Sequence, residues 1–423
     1  LRLDQWSHWS VADIKTWLQK AHGPVLLTLR QSARVQDIER LLALEPPYFD
    51  LDGTLPASLI ERMIERYPQT RFIVSKHLKS IEELEKSYRD LSQYAAFQYK
   101  LAVATPRATD ALRALLFARE HPRASVICMG ERASFARVLG PIFGNQIGFA
   151  HPDGEPPAAP GQLPYSEMNA LYQYSRLNAH TEIYALIGDP VAHSIGHRHH
   201  NAVFQQRRRN AVYVKIPLLP AELQEFLAIA KHCPFHGLSV TTPLKESICA
   251  YTDVLDPFAR RAGAVNTLRF RDGKICGANT DGIGALEALE RQGPVRGKTI
   301  LLLGAGGAAR AIAWAARERG AIIAVHNRSI GRAQDLATAV GGSFGTLENL
   351  PARCDAIVCC LSESLPLDLS RVPQEAVAMD IVYAPRDTPF LRAAAARGCR
   401  LVYGEEMFTL QAAAQTQWWF DGH

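Results

Sequence analysis

The sequence predicts an α/β protein of three consecutive units: a barrel of the (β/α)8 type, a smaller α/β unit, and a doubly wound unit built for a nucleotide. Three observations carry that prediction. Short apolar runs alternate with segments of helical period along residues 1–178. The alternation resumes after a polar stretch, SRLNAHTE (175–182). It resets again where the apolar run TILLL (299–303) meets a glycine-rich turn. A chain of 423 residues also exceeds what one ordinary core accommodates.

In the first unit the strand-like runs are LRLD (1–4), VLLTLR (25–30), YFDLD (48–52), FIVSKH (72–77), YKLAVA (99–104), SVICMG (125–130) and IGFAHP (147–152). Amphipathic segments fill the gaps, among them 106–120 and 164–177. Seven such units in a row lean toward a barrel, whose remaining strand is expected upstream of Leu1. The second unit, 183–290, opens with IYALIGDP, and the third spans 291–400. A last helix, 405–420, is expected to return to the middle unit. Lys100 stands inside the apolar run QYKLAVA, where burial favours a neutral, nucleophilic amine. From the strand alone, a lysine lying between outer helices is the commoner outcome.

Composition narrows the function classes. The net charge of +5 is modest and not gathered into a tail, which favours small anionic ligands over nucleic acid. Eight cysteines show no CxxC pair and several sit in apolar runs, as buried free thiols in a reducing compartment do. No apolar run reaches membrane-spanning length and no signal peptide is visible, so no membrane partner is expected. Cytoplasm is the default location, with a plastid the alternative if a transit peptide preceded Leu1. The sequence carries no mark of oligomeric state. His193, His197, His199 and His200 crowd into eight residues, yet Pro190 and Gly196 oppose one continuous helix through them. No carboxylate or cysteine joins them at ligand spacing, so no metal site is expected.

The turn Gly304, Ala305, Gly306, Gly307, Ala308, Ala309 fits G-x-G-x-x-[GA], directly after a strand and opening a helix. Small residues there permit a tight turn and let backbone N–H groups approach a pyrophosphate. The next strand ends at Asn327, Arg328 and Ser329, where an NAD enzyme presents a carboxylate to the ribose. A guanidinium with hydrogen-bonding neighbours suits a 2′-phosphate, so NADP is the expected cofactor. The plain alternative is a solvated arginine at a strand end.

Five motifs in order, IGDPVAHS (187–194), GLSVTTPLK (237–245), GAVNT (263–267), GANTDGIG (277–284) and the glycine-rich turn, resemble shikimate dehydrogenase across 183–420. The resemblance implies NADPH-dependent reduction of 3-dehydroshikimate to shikimate, in a cleft between a substrate domain and a Rossmann domain. Lys245 and Asp281 match the family's catalytic pair. A lysine ammonium held by a carboxylate polarises the carbonyl and delivers its proton. By spacing alone the two would read as a surface ion pair. Ser194, Thr241, Asn266, Tyr383 and Gln411 match substrate positions, and Gly404 and Met407 match the cofactor side. Departures are Gly196-His197 in place of a second loop serine, Ser239 for an asparagine, and Cys359-Cys360-Leu361 for Asn-Ala-Thr. The N–H of Gly196 or the imidazole of His197 is then expected to replace the lost hydroxyl.

The motifs TLR (28–30), DLD (50–52), VSKH (74–77), YKLAV (99–103), SFARVLGPIFG (134–144) and APGQ (159–162) resemble type I 3-dehydroquinate dehydratase over nearly all of 1–178. The resemblance implies an imine between Lys100 and the ketone of 3-dehydroquinate, with His77 as general base and acid. It also assigns the substrate carboxylate to Arg137, where a bidentate fork is favoured. Gln162, Arg2 and Arg30 fall on substrate-contacting positions. Asp52 stands where many members have glutamate, and Ala158 replaces a serine. The two resemblances are consecutive reactions, in an order matching a known fusion of the two enzymes. Two rivals stand beside the bifunctional reading: a catabolic quinate/shikimate dehydrogenase using NAD, and a metabolite-binding pseudoenzyme.

Overall fold

The computed structural model describes Leu3 and residues 10–29, 35–361 and 367–420. The chain divides into two compact units, Leu1–Thr181 and Glu182–His423.

Five strands form the sheet of the first unit: β1 (Leu26–Thr28), β2 (Tyr48–Asp52), β3 (Arg71–Leu78), β4 (Gln98–Ala104) and β5 (Ala124–Met129). All pair in parallel and in sequence order. Helices at Val35–Leu42, Ala57–Arg66, Leu84–Ser92 and Ala108–Glu120 make the connections, as parallel neighbours require. The register sorts the side chains by face. Leu27, Phe49, Leu51, Phe72, Val74, Tyr99, Leu101 and Val126 share one face and are buried. Thr28, Asp50, Asp52, Ser75, His77, Gln98, Lys100 and Ser125 share the other. One face is thus apolar core and the opposite face carries the chemistry.

Two expected elements change. IGFAHP contributes only a bridge between His151 and Pro164, because Gly148 weakens the run and Pro152 ends its ladder donors. The helix expected over 164–177 breaks into short turns at Glu167–Leu171 and Tyr174–Arg176, with Gln173 between them at φ 49°. LRLD lies outside the described residues except for Leu3, which is buried. Among the described residues the predicted barrel is therefore an open sheet of five strands.

The second unit holds two six-stranded sheets. The first contains β6 (Glu182–Gly188), β7 (Ala211–Pro217), β8 (Phe235–Val240), β9 (Val254–Leu255), β10 (Thr267–Arg271) and β11 (Lys274–Ala278), in the order β7-β6-β8-β10-β11-β9. Its β10 runs antiparallel to both neighbours. The second sheet contains β12 (Thr299–Leu303), β13 (Ile322–His326), β14 (Ser343–Gly345), β15 (Ala356–Cys359), β16 (Val377–Asp380) and β17 (Arg400–Val402). It is wholly parallel, ordered β14-β13-β12-β15-β16-β17. That is the doubly wound 3-2-1-4-5-6 order, with its switch point between β12 and β15.

The helix Asp281–Glu290 joins the sheets because its glycines allow close approach. A Cβ on Gly282 would lie 2.7 Å from the carbonyl of Ala311, and one on Gly284 would lie 2.7 Å from Gln411 Cβ. The last helix, Gly404–Phe420, ends against the first sheet. There Trp419 packs with Tyr184, Phe204 and Tyr213 and donates its indole N–H to the carbonyl of Leu268 at 2.9 Å.

Candidate active sites

In the second unit, β8 runs into a short helical turn, Leu244–Ser247, that carries Lys245. Asp281 begins the helix after β11, where the helix dipole favours a carboxylate. Lys245 Nζ donates to Asp281 Oδ2 at 2.6 Å. The lysine side chain is 17% exposed and the aspartate 5%, so the ammonium is reachable and its anchor is not. The side-chain amide of Asn266 donates to Asp281 Oδ1 at 2.9 Å and to Thr280 Oγ1 at 2.9 Å. Its carbonyl oxygen accepts from the Thr280 N–H and the Thr267 hydroxyl. Gln411 Oε1 lies 3.3 Å from the same amide.

Around this centre Thr241 follows β8, with its methyl against Gly188 at the mouth of the loop that leads to Ser194. Ser194 Oγ accepts the N–H of Gly196 at 3.2 Å. Tyr383 packs its ring on Phe408, 5.1 Å between centroids, beside Met407. The structure thus brings Lys245, Asn266, Asp281 and Gln411 into one hydrogen-bonded group. It ties Ser194 to its own loop instead.

The histidine stretch is not one continuous helix: strand β6 runs into a turn before the helix begins. A helix does run from Gly196 to Gln206, and it carries His197, His199 and His200, while His193 precedes it. Gly196 costs little there because it occupies the first helical position. His197 is 6% exposed, and its Nδ1 has no hydrogen-bond partner among the described residues. Burial, helped by Lys215 and Arg198, lowers its pKa to about 4. His200 stacks on Tyr213 at 4.6 Å, and burial lowers it to about 3. Among the described residues no three His, Cys, Asp or Glu side chains are grouped to hold a metal.

The cofactor side tests well against a dinucleotide. Gly304 sits at φ 112°, with a Cβ position 3.2 Å from the carbonyl of Cys360, so the turn needs glycine. Gly306 has no neighbour within 4 Å of a Cβ, which leaves room for a pyrophosphate before the helix Gly307–Glu318. Gly307 approaches Lys245, whose Cβ would lie 2.8 Å from a Cβ there. Ala305 is buried beneath the turn and Ala308 lies in the helix's first turn. At the end of β13, Asn327 donates to the carbonyl of Ser329 at 3.0 Å, and Arg328 is exposed. No carboxylate stands among these three residues. Gly404 is pressed against the carbonyl of Val382, and Met407 is buried in the core of this sheet. The Cys360 thiol is pushed well above its ordinary pKa by burial, then by Cys359, Asp380 and Asp281.

In the first unit, Lys100 projects from β4 onto the polar face. It is buried and forms an ion pair with Asp50 on β2, two strands away. The ring of Phe149 lies 4.9 Å from its Nζ. His77, on β3, is on the same face and exposed. Asp52 Oδ1 accepts from the N–H and hydroxyl of Thr54 at 2.9 and 2.7 Å, so this carboxylate caps the following turn. Arg137, on the helix Ser134–Leu139, is 7% exposed. Its Nη2 donates to the carbonyl of Pro160 at 3.2 Å, and its Nε has no partner among the described residues. Burial lowers its pKa. The Pro160 loop is pressed onto Gly130 at Gly161, and Gln162 Oε1 accepts the Ala158 N–H at 2.9 Å. Arg2 and Arg30 lie outside the described residues.

Three residues escaped the sequence reading. Asp50, to which no role was assigned, pairs with Lys100 and lies on the same face of β2 as Asp52. Arg332, one turn along the helix after β13, stands beside the glycine-rich turn. Gln415 is buried on the last helix; it accepts from Ser239 and donates to the Asn266 carbonyl and to Thr267, each at 2.9 Å. No motif marked it.

Family models match the same layout. Type I 3-dehydroquinase matches residues 1–179, the shikimate dehydrogenase substrate binding domain 186–268, and shikimate/quinate 5-dehydrogenase 287–387. The chain is 35% identical to the shikimate biosynthesis protein AroDE of Chlamydia pneumoniae over 99% of its own length and 89% of that protein. It is 32% identical to a chloroplastic bifunctional 3-dehydroquinate dehydratase/shikimate dehydrogenase of Arabidopsis thaliana, over 95% and 74%. A crystal structure of shikimate 5-dehydrogenase from Thermus thermophilus, in complex with NADP(H) and shikimate, superimposes with a TM-score of 0.53 at 35% identity, over 57% of this chain and 94% of that one. With both halves matched in order, the chain belongs to the bifunctional family in which a type I 3-dehydroquinate dehydratase precedes a shikimate dehydrogenase.

Proposed function

We propose that this chain dehydrates 3-dehydroquinate in its first unit and reduces the product, 3-dehydroshikimate, to shikimate with NADPH in its second. The observation that carries the reading is the Lys245–Asp281 pair, 2.6 Å long and packed against the glycine-rich turn at Gly307. A ketone becoming an alcohol needs a hydride on carbon and a proton on oxygen. The dinucleotide supplies the hydride when bound. Lys245 Nζ polarises the carbonyl and donates the proton, while buried Asp281 pairs with the ammonium and aims it. Asn266 fixes Asp281 from the other side, while Gln411, Thr241, Ser194 and Tyr383 offer hydrogen bonds to the substrate's hydroxyls and carboxylate. Gly304, Ala305, Gly306, Gly307 and Ala308 hold the pyrophosphate, Asn327, Arg328 and Ser329 take the 2′-phosphate, and Gly404 and Met407 close the cofactor side.

In the first unit Lys100 attacks the ketone, and loss of water from the adduct gives an imine on its Nζ. That cation acidifies the neighbouring C–H; His77 removes the proton and returns it to the departing hydroxyl, and water then hydrolyses the imine, releasing 3-dehydroshikimate and the Lys100 amine. Asp50 pairs with Lys100 before reaction, takes the ammonium proton so that the free amine attacks, and returns it to the adduct hydroxyl that leaves as water. The partly unsatisfied, buried guanidinium of Arg137 supports a role in carboxylate recognition, since a substrate anion would complete its bonds. The functional boundaries follow as 1–178, 183–290 with the last helix, and 291–400. The eight free cysteines fit a reducing compartment such as the cytoplasm.

The test is a coupled assay in which 3-dehydroquinate is supplied with NADPH and then with NADH. Shikimate forms with NADPH, and Lys245→Ala abolishes its formation while NADP+ still binds. Borohydride with 3-dehydroquinate adds ligand mass on Lys100. Failure of the adduct to form under saturating ligand removes the first activity; near-normal turnover by Lys245→Ala removes the proposed proton donor. Preference for NADH favours the catabolic dehydrogenase.

A further inference from the structure

Arg332 lies on the first turn of the helix Ile330–Val340, directly after β13. Its Nη2 donates to Glu246 Oε1 at 2.8 Å and lies 3.4 Å from the carbonyl of Ala305. Ala305 belongs to the glycine-rich turn, and Glu246 directly follows Lys245. The guanidinium therefore stands between the pyrophosphate turn, the strand end that receives the ribose, and the segment bearing the reactive lysine. Its neighbour Arg328 is exposed and engages no described residue. One arginine at this strand end is thus available to an anion, and the second is already held by a carboxylate.

We propose that Glu246 tunes cofactor choice by competing with the 2′-phosphate of NADP for Arg332; this rests on the NADP reading given above. When the phosphate arrives, Arg332 exchanges one anion for another, and a phosphate wins because it carries more charge and more acceptor oxygens. NAD lacks that group and leaves the ion pair in place. Glu246 therefore penalises NADP alone, both by occupying Arg332 and by repelling the phosphate. The side chains of Arg332 and Glu246 are 55% and 44% exposed. An ion pair so open to solvent shifts an equilibrium by only about two- to five-fold.

The experiment measures Kd for NADP+ and for NAD+ by titration calorimetry on the full chain and on Glu246→Gln. Glu246→Gln tightens NADP+ about two- to five-fold and leaves NAD+ unchanged. In an Arg332→Gln background the same substitution produces a smaller gain, as a double-mutant cycle requires. Glu246→Ala reproduces the gain without the amide. Unchanged or weaker NADP+ binding, or equal tightening of both dinucleotides, overturns the role of Glu246. A chain whose NADP+ affinity is indifferent to loss of both Arg328 and Arg332 overturns the 2′-phosphate reading itself, and the competition with it.

Discussion

Replacing Asn266 by alanine tests whether the catalytic pair is positioned from behind. The side chain is buried and makes four short bonds: its amide donates to Asp281 and Thr280, and its oxygen accepts from the Thr280 N–H and the Thr267 hydroxyl. Truncation orphans two buried donors, at about 1–3 kcal/mol each, and removes a charge-assisted bond to Asp281 worth about 1.5–3 kcal/mol. Partial relaxation brings the expected loss to about 4 kcal/mol. For a unit of this size that lowers the thermal midpoint by about 8–16 °C. Differential scanning calorimetry of the full chain reads this in the transition of the second unit. Reduction of 3-dehydroshikimate falls with it, because Asp281 loses the partner that fixes Oδ1. Asn266→Asp separates the two effects: it retains the shape but opposes a second carboxylate to Asp281, so one of them must take up a proton. Its kcat therefore recovers as pH is lowered. A midpoint for Asn266→Ala within about 2 °C of the parent, equivalent to less than about 1 kcal/mol, refutes the network as a source of stability. An Asn266→Asp pH profile parallel to the parent's refutes the positioning of Asp281.

Two further outcomes follow from buried basic side chains. His197 and His200 are held at about 4 and about 3 in the fold, against about 6.5 in an unfolded chain. The unfolded chain therefore binds protons first as pH falls, and stability present in full above about pH 6.5 is lost below it. Between pH 6.5 and 5 the two together cost about 3 kcal/mol, measurable by urea denaturation, and a flat profile across that window contradicts their burial as neutral rings. Arg137→Met is expected to raise KM for 3-dehydroquinate roughly 100-fold, the loss of two charge-assisted bonds, while the lost bond to the Pro160 carbonyl is offset by removal of a buried Nε that is unpartnered among the described residues, leaving stability within about 1 kcal/mol of the parent. A KM within about three-fold of the parent removes Arg137 from carboxylate binding.

How much of this was legible depended on whether a feature was local. The doubly wound sheet was readable because its turn must be small, must follow a strand and must open a helix, all within a dozen residues. Lys245 and Asp281, thirty-six residues apart, were readable only through resemblance, since nothing in spacing brings them together. IGFAHP has the composition of a strand, yet proline and glycine prevent a ladder that composition alone does not deny it. The DLD run put two carboxylates on one face by alternation, and the strand register aligns Asp52 with Lys100 through Ser75; yet Asp52 caps the turn at Thr54 and Asp50 meets the lysine, a choice made by side-chain partners that spacing does not show. Gln415 was invisible for a related reason. A polar residue on a helix of weak amphipathicity acquires meaning only when its partners, Ser239, Asn266 and Thr267, arrive from other strands.

The departures from the dehydrogenase pattern surround the Lys245–Asp281–Asn266 centre and leave it intact. Ser239, in place of asparagine, bonds Gln415, and Gln415 grips the backbone of Asn266; the substitution is absorbed into the support of the site. Gly196 does not offer its N–H to a ligand, because Ser194 Oγ already accepts it. A side chain at Gly196 would start 3.3 Å from Ser194 Oγ and 3.4 Å from Tyr213 Oη, so little space remains there for the family's second serine. His197 is a neutral ring set into the wall behind the loop, with its Nδ1 turned away from solvent. The loop thus keeps one hydroxyl, Ser194, already engaged by its own backbone. Cys360 replaces a polar contact just after β15 with a half-buried thiol whose pKa is held well above its ordinary value. On the proposed mechanism each change removes or occupies a group that would bind ground state and transition state alike, and none removes a group assigned a proton transfer. Differences between this chain and its relatives should therefore fall on KM and cofactor affinity, with kcat governed by residues that have not changed.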